Sequence, residues 1–241
     1  MQSWDSAAAT DVGQVRQLNE DAFLDRPDLG LWAVADGMGG HASGDVASNM
    51  LCTALAQLPE LCDLSAAVDF IDTTAERVND ELVQLAQSRE RGGVIGSTLV
   101  ALVARGDHAV FLWAGDSRLY RLRAGSLEQL TDDHSLLEES RGLLADTSAI
   151  NANIITRAVG ADRSLILELE GVTLHPGDRF LLCSDGLNRE MDDGEITRKL
   201  LQGSPGNTSH ALVVDAVTAG GGDNVTAVVA DFTGLNAPAG S

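Results

Sequence analysis

Basic residues are scarce in this chain: 16 Lys+Arg stand against 36 Asp+Glu over 241 residues, a formal net charge of −20. Nucleic acid and anionic membrane surfaces are poor partners for such a protein. The only cysteines are Cys52, Cys62 and Cys183, and no two form a C-x-x-C pair. That spacing argues against a disulfide framework and against a structural zinc site, and leaves buried reduced thiols. No apolar run approaches the roughly 20 residues that a membrane-crossing helix needs. Met1-Gln2-Ser3-Trp4-Asp5 lacks the basic start and apolar stretch of a secretion signal, so a cytoplasmic location is expected. Repeats, charge blocks and low-complexity linkers are also missing. One domain over residues 1–235 is the simplest account, with residues 236–241 as a frayed tail.

Apolar residues make up 44% of the chain, enough to fill a substantial core. Six apolar runs read as strands: Leu31–Ala35, Thr98–Ala104, Ala109–Ala114, Leu119–Leu122, Arg179–Cys183 and Val225–Phe232. Helical spacing of apolar residues predicts helices over Val46–Leu58 and Leu64–Leu85, the second with Asp63 as N-cap. Shorter helices are expected over Asp193–Gln202 and Thr208–Ala219. The link Arg105-Gly106-Asp107-His108 reads as a hairpin and favours antiparallel sheet with helices outside.

Four times an apolar strand abuts an Asp that sits beside a small or polar residue. The pairs are Asp36-Gly37, Asp116-Ser117, Asp185-Gly186 and Asp223-Asn224, the last lying before its strand instead of after it. One Asp-Gly is an ordinary turn signal. Four at strand ends can converge, and gathered carboxylates repel one another unless a cation neutralises them. Hard oxygen ligands select Mg²⁺ or Mn²⁺ over zinc, and ligands scattered along the chain do not make an EF-hand. Two such ions, roughly 3.5–4 Å apart, activate a water for in-line attack on phosphorus. Asp36, Asp185 and Asp223 carry about −3 and two divalent ions about +4, so a locally positive site is expected inside a negative protein. Arg16 suits bidentate phosphate contact, and Glu20 and Asp21 suit the waters around a metal.

These segments together resemble the PPM (type 2C) family of metal-dependent Ser/Thr protein phosphatases, in its compact bacterial form. The resemblance is carried by Arg16-x-x-Asn-Glu-Asp21, Val34-Ala-Asp-Gly-Met-Gly-Gly-His41, Gly96-Ser-Thr98, Trp113-Ala-Gly-Asp-Ser-Arg-Leu-Tyr120, Leu130-Thr-Asp-Asp-His-Ser135, Ile155-Thr-Arg-Ala-Val-Gly160, Leu182-Cys-Ser-Asp-Gly-Leu187 and Gly222-Asp-Asn-Val-Thr226. It implies an α+β fold, a four-layer α-β-β-α sandwich of two antiparallel sheets flanked by helices, with the metals at one edge. It implies that Asp36 bridges two Mn²⁺ or Mg²⁺ ions, that the Gly37 carbonyl ligates one, and that Asp185 and Asp223 complete the second site. Asp116 would help Asp185 hold a third, looser ion. Arg16 would take the substrate phosphate, and Asn224 and Glu20 would support the metal surroundings. A flap is implied at about 136–155, with Arg141 reaching the phosphopeptide. Animal members carry His where this chain has Met38, so the leaving group's proton must come from elsewhere; His41 is a candidate, and His134 reads as a loop brace. The implied partners are phosphorylated proteins, with a Ser/Thr kinase and its targets, and the implied state is a monomer. Some stand-alone members serve type VI secretion control.

Two rival readings share these residues. Cys183-Ser-Asp-Gly-Leu-Asn-Arg189 fits the C-x5-R pattern of cysteine-nucleophile phosphatases, but Asp185 inside that loop opposes both a thiolate and a phosphate. A non-catalytic phosphoprotein-binding module on the same fold would be expected to lose metal carboxylates, and here Asp36, Asp185 and Asp223 are all present. Phosphatase assays on Cys183→Ser discriminate the chemistries. Retained activity is expected; loss of activity together with indifference to chelators would establish the cysteine mechanism.

Overall fold

The computed structural model describes residues 2–39, 43–60, 62–89, 93–140 and 154–235. The chain begins with β1 (Gln2–Asp11), β2 (Asp21–Arg26) and β3 (Leu31–Met38), then α1 (Gly44–Leu55) and α2 (Leu64–Ser88). It continues through β4 (Gly96–Ser97), β5 (Leu99–Arg105), β6 (His108–Ala114), β7 (Arg118–Arg123), β8 (Ser126–Gln129) and α3 (Leu136–Ser140). The remaining elements are β9 (Glu168–Thr173), β10 (Arg179–Cys183), α4 (Asp185–Asn188), α5 (Asp193–Leu200), α6 (Pro205–Ala219) and β11 (Val225–Leu235).

These strands form two antiparallel sheets, in the orders β1-β11-β10-β7-β8 and β2-β3-β5-β6-β9, with β4 pairing with β3. Residue parity along each central strand divides the core into layers. In β3, Trp32 and Val34 face the space between the sheets, whereas Leu31, Ala33 and Ala35 face the opposite side with the buried residues of α1 and α2. In β10, Phe180 and Leu182 face the inter-sheet core and Leu181 and Cys183 face outward, against Ile196, Leu200, Leu212 and Val213 of α5 and α6. The order is therefore helices, sheet, sheet, helices, the expected α-β-β-α sandwich.

Local signals account for the helix limits. Asp63 caps α2, its carboxylate accepting from the Ala66 N–H at 2.8 Å. Asp192 and Glu195 close a capping box on α5, and Pro205 starts α6 behind the Ser204 cap. α1 runs over Gly44–Leu55, not 46–58, yet Leu58 is still buried just beyond its end. α6 starts three residues before the expected Thr208. The Arg105–His108 link is a hairpin turn, with Gly106 at φ 63°.

Trp4 on the edge strand β1 packs on Trp32, Phe232 and Phe180, with centroid separations of 4.5, 5.0 and 6.1 Å, and so ties the two sheets together. Trp4→Ala is expected to cost about 3 kcal/mol, at the lower end for removing a large aromatic from a core. The midpoint of urea unfolding measures this.

Candidate metal and phosphate site

Antiparallel pairing brings the acidic strand ends to one edge of the sandwich. Asp21 opens β2 directly opposite Asp36 near the end of β3. Asp185 follows β10, whose last residue Cys183 pairs with Ala227 near the start of β11, and Asp223 precedes that start. Asp116 lies in the turn from β6 to β7, and Arg118, which opens β7, pairs with Cys183. A cleft of about 630 Å³ opens at this edge, lined among others by Arg16, Glu20, Asp36, Gly37, Asp185 and Asp223.

Each acidic side chain or its backbone is held by groups that leave part of the carboxylate free. The Asp36 N–H donates to Thr98 Oγ1 at 2.9 Å, while its carbonyl accepts from the Thr98 N–H at 2.9 Å and Ser97 Oγ at 3.0 Å. Asp21 Oδ2 accepts from Ser184 Oγ and Thr226 Oγ1, both at 2.7 Å. Asp21, Asp116 and Asp185 each keep a buried Oδ1 with no hydrogen-bond partner. A buried carboxylate oxygen without a partner is costly unless a cation answers it, and three at one edge are the observation that fits metal ions there. Electrostatics agree. Burial, then the neighbouring Asp21, Asp185, Asp116 and Asp223, push the Asp36 carboxyl well above the ordinary carboxylate range. Burial and Asp116 push Asp185 up to about 7, although Arg189 opposes the shift. Burial pushes Asp21 up to about 6. Asp116 is raised too, chiefly by burial.

The glycines after the aspartates are here for close approach. A Cβ on Gly37 would lie 2.1 Å from the Gly44 carbonyl oxygen, and one on Gly186 would lie 2.0 Å from that of Asn224. Glu20 supports the same junction: its carbonyl accepts from the Gly37 N–H at 3.1 Å and Ser48 Oγ at 2.6 Å, and its carboxylate accepts from the Gly44 N–H at 3.1 Å. The Asn224 side chain works on the chain and not on a carboxylate, while its backbone N–H donates to Asp223 Oδ1 at 2.9 Å. Its Nδ2 donates to the carbonyls of Val12 and Leu18 at 2.9 and 3.0 Å, and its Oδ1 accepts from the Glu20 N–H at 2.8 Å. It thereby clamps the loop that presents Arg16. Arg16 Nη2 lies 2.8 Å from Asp223 Oδ2 with its side chain half exposed at the cleft.

The cysteine rival fails on geometry. Cys183 is fully buried in the outer core of its sheet, and burial pushes its thiol up to about 12, so no thiolate faces the cleft. His134 braces a loop, as expected: the Gly115 N–H donates to its Nδ1 at 3.1 Å and its ring stacks on Trp113 at 6.0 Å. His41, Arg141 and the flap segment 141–153 lie outside the described residues, as does the 236–241 tail. Sequence reasoning missed Thr98, Ser184 and Thr226, which position the carboxylates. It also missed Arg189, whose guanidinium bonds Asp185 and comes within 3.7 Å of Asp116 and 3.8 Å of Asp223. Its only signal was the C-x5-R spacing, which pointed to another chemistry.

Comparison with known proteins places these features in a wider set. The family model described as protein phosphatase 2C matches residues 12–211. The serine/threonine phosphatase stp of Listeria innocua is 33% identical over 92% of this chain and 93% of its own length. PppA, described as a key regulatory component of T6SS in Pseudomonas aeruginosa, superposes with a TM-score of 0.90 at 46% identity, over 96% of this chain and 99% of its own. The catalytic domain of PstP, solved in complex with two manganese ions, superposes with a TM-score of 0.84 at 34% identity, over 95% and 97% of the two chains.

The raised carboxyls set the pH dependence of the metal-free fold. Asp21 and Asp185 titrate near 6 and near 7 when folded, against about 3.9 for Asp in an unfolded chain. The folded state therefore binds more protons than the unfolded state in this window. Their contribution is fully present below about pH 4 and is lost as pH rises through about 6–7. In EDTA the melting temperature should fall between pH 5 and pH 8, and Mn²⁺ should abolish or reverse that fall.

Proposed function

We propose that this chain, which belongs to the protein phosphatase 2C family, is a metal-dependent serine/threonine protein phosphatase. One observation carries the reading: Asp36, Asp185 and Asp223 line one cleft, with partnerless carboxylate oxygens buried beside it. Asp36, the Gly37 carbonyl, Asp185 and Asp223 would hold the Mn²⁺ or Mg²⁺ ions. Bound there, the ions supply Lewis acidity and lower the pKa of a water that can attack phosphorus.

The chain's own groups do the rest. Arg16 is tied to a single carboxylate, Asp223, at the mouth of the cleft. Arg16 would exchange this one carboxylate for the substrate phosphate, which its guanidinium fork can hold through two parallel hydrogen bonds. Asn224 fixes the loop from which Arg16 reaches, and Glu20 fixes the Gly37 carbonyl by holding that residue's N–H. Asp21 keeps one carboxylate oxygen free to accept from waters around the metals. Met38 can donate no proton, and His41 is the proposed donor to the leaving alkoxide. The flap over about 136–155, with Arg141, is proposed to contact the phosphopeptide. The catalytic unit spans residues 1–235.

The substrates are phosphorylated proteins. A Ser/Thr kinase and its targets, a cytoplasmic setting and a monomeric state complete the proposal. Likeness to PppA over nearly its whole length supports a role in type VI secretion control. Among the described residues no helix is long and apolar enough to cross a membrane.

Phosphate release from a phosphothreonine peptide and from p-nitrophenyl phosphate tests the reading. Activity should be near zero in EDTA and return with Mn²⁺, and undetectable Mn²⁺-dependent release would favour the binding-module reading. Asp36→Asn should lose at least about 100-fold, beyond what outer supporting groups cost; full activity in that variant would sink the assignment. Arg16→Ala removes a charge-assisted contact of about 1.5–3 kcal/mol, so kcat/KM should fall about 10–100-fold while Mn²⁺ affinity changes little.

A further inference from the structure

Arg189 is placed unlike any other basic residue of the site. It caps the short helix α4, one turn after Asp185. Its Nη2 bonds Asp185 Oδ2 and lies 3.7 Å from Asp116 Oδ2, and its Nη1 lies 3.8 Å from Asp223 Oδ2. One guanidinium thus faces carboxylates from three separate strand ends. Arg16 meets one carboxylate with a side chain 50% exposed, whereas Arg189 meets three with a side chain 34% exposed. Asp116 and Asp185 each turn Oδ2 toward Arg189 and keep Oδ1 buried and partnerless. One side of that pair is therefore answered by a cation the chain itself carries.

A divalent ion shared by Asp116 and Asp185 needs oxygens at roughly 2.0–2.2 Å. An ion ligated by the two Oδ2 atoms would collide with the Arg189 nitrogen already bonded there. An ion on the Oδ1 side would be held by two carboxylates that both already face Arg189, within a few ångströms of its fixed positive charge, whereas ions held through Asp36 have a carboxylate that Arg189 does not contact. We propose that Arg189 is the third cation of this centre: its guanidinium fills the role over Asp116 and Asp185 that a third metal ion would otherwise fill, so the chain binds two divalent ions and not three. Arg189 is thus a positioning residue. It sets metal stoichiometry and holds the carboxylates together before metals arrive. The inference rests on the metal-dependent reading above.

Equilibrium dialysis against Mn²⁺, with bound metal counted by mass spectrometry, tests it without reference to activity. Wild type should bind two ions per chain up to millimolar Mn²⁺, and Asp116→Asn should leave the count at two. Arg189→Ala and Arg189→Gln should each bind a third ion, lost again when Asp116→Asn is added. In EDTA both Arg189 variants should melt below wild type, and Mn²⁺ should close the gap. Preparing the variants in Mn²⁺ guards against failure to fold without metal, and Arg189→Gln keeps most of the side-chain volume. A third ion in wild type, or a count of two in both Arg189 variants, overturns the proposal. A wild type that binds no Mn²⁺ removes the metal reading itself, a distinguishable result.

Discussion

Carboxylates crowd one edge of this sandwich more closely than uncompensated charge allows. Burial, and for Asp21, Asp36 and Asp185 also repulsion from neighbouring acids, raises the pKa of Asp21, Asp36, Asp116 and Asp185. Packing them without cations stores repulsion in the fold, and the rest of the edge reads as a response to that constraint. Two arginines face the cluster from its rim. Hydroxyls of Ser184, Thr226 and Thr98 hold backbone or one oxygen, and oxygens are left over for ions. A site optimised for stability alone would replace these acids with apolar residues of similar volume, because buried ion clusters seldom repay their desolvation.

The sandwich makes such crowding possible because its rigidity lies elsewhere. Between the sheets, Trp32, Phe111, Phe180, Phe232 and their neighbours are almost wholly excluded from water. The outer core layers under the helices are just as apolar. Strand register then fixes where each acid emerges: Asp21 opposite Asp36, and the start of β11 beside the end of β10. Close backbone contacts at Gly37 and Gly186 leave no room for a side chain, so the loops cannot relax away from the cluster.

This division explains what could be read from the sequence. Six strands were legible, and each is a central strand: β3, β5, β6, β10 and β11 appear as apolar runs, and β7 as Leu119, Tyr120 and Leu122 around Arg121. Of the strands that escaped notice, β4 is a two-residue pairing on β3, and β1, β2, β8 and β9 are the four sheet edges. Their sequences, such as Gln2–Asp11 and Glu168–Thr173, are polar or small, as edges must be to avoid pairing with other chains. The acids of the site were legible because Asp beside Gly or a polar residue at a strand end is a local pattern. The hydroxyls that hold them were not, because Ser184 and Thr226 become partners of Asp21 only through contacts 163 and 205 residues away. Arg189 was visible only as the last residue of a C-x5-R motif, whose cysteine proves to be a core residue.

The two arginines also resolve how an acidic protein meets an anionic substrate. A net charge of −20 repels phosphate at long range, but screening over about 8 Å leaves the near field to decide. In that near field Arg16 is half exposed, held by one carboxylate, and carried on a loop clamped by Asn224. It can exchange partners at little cost. Arg189 is sunk among three carboxylates and has none to spare. On the proposed reading, one cation is free to follow the phosphate and the other is bound to the architecture, so a cluster that would repel the substrate as bare acids could receive it once its charge is answered from within.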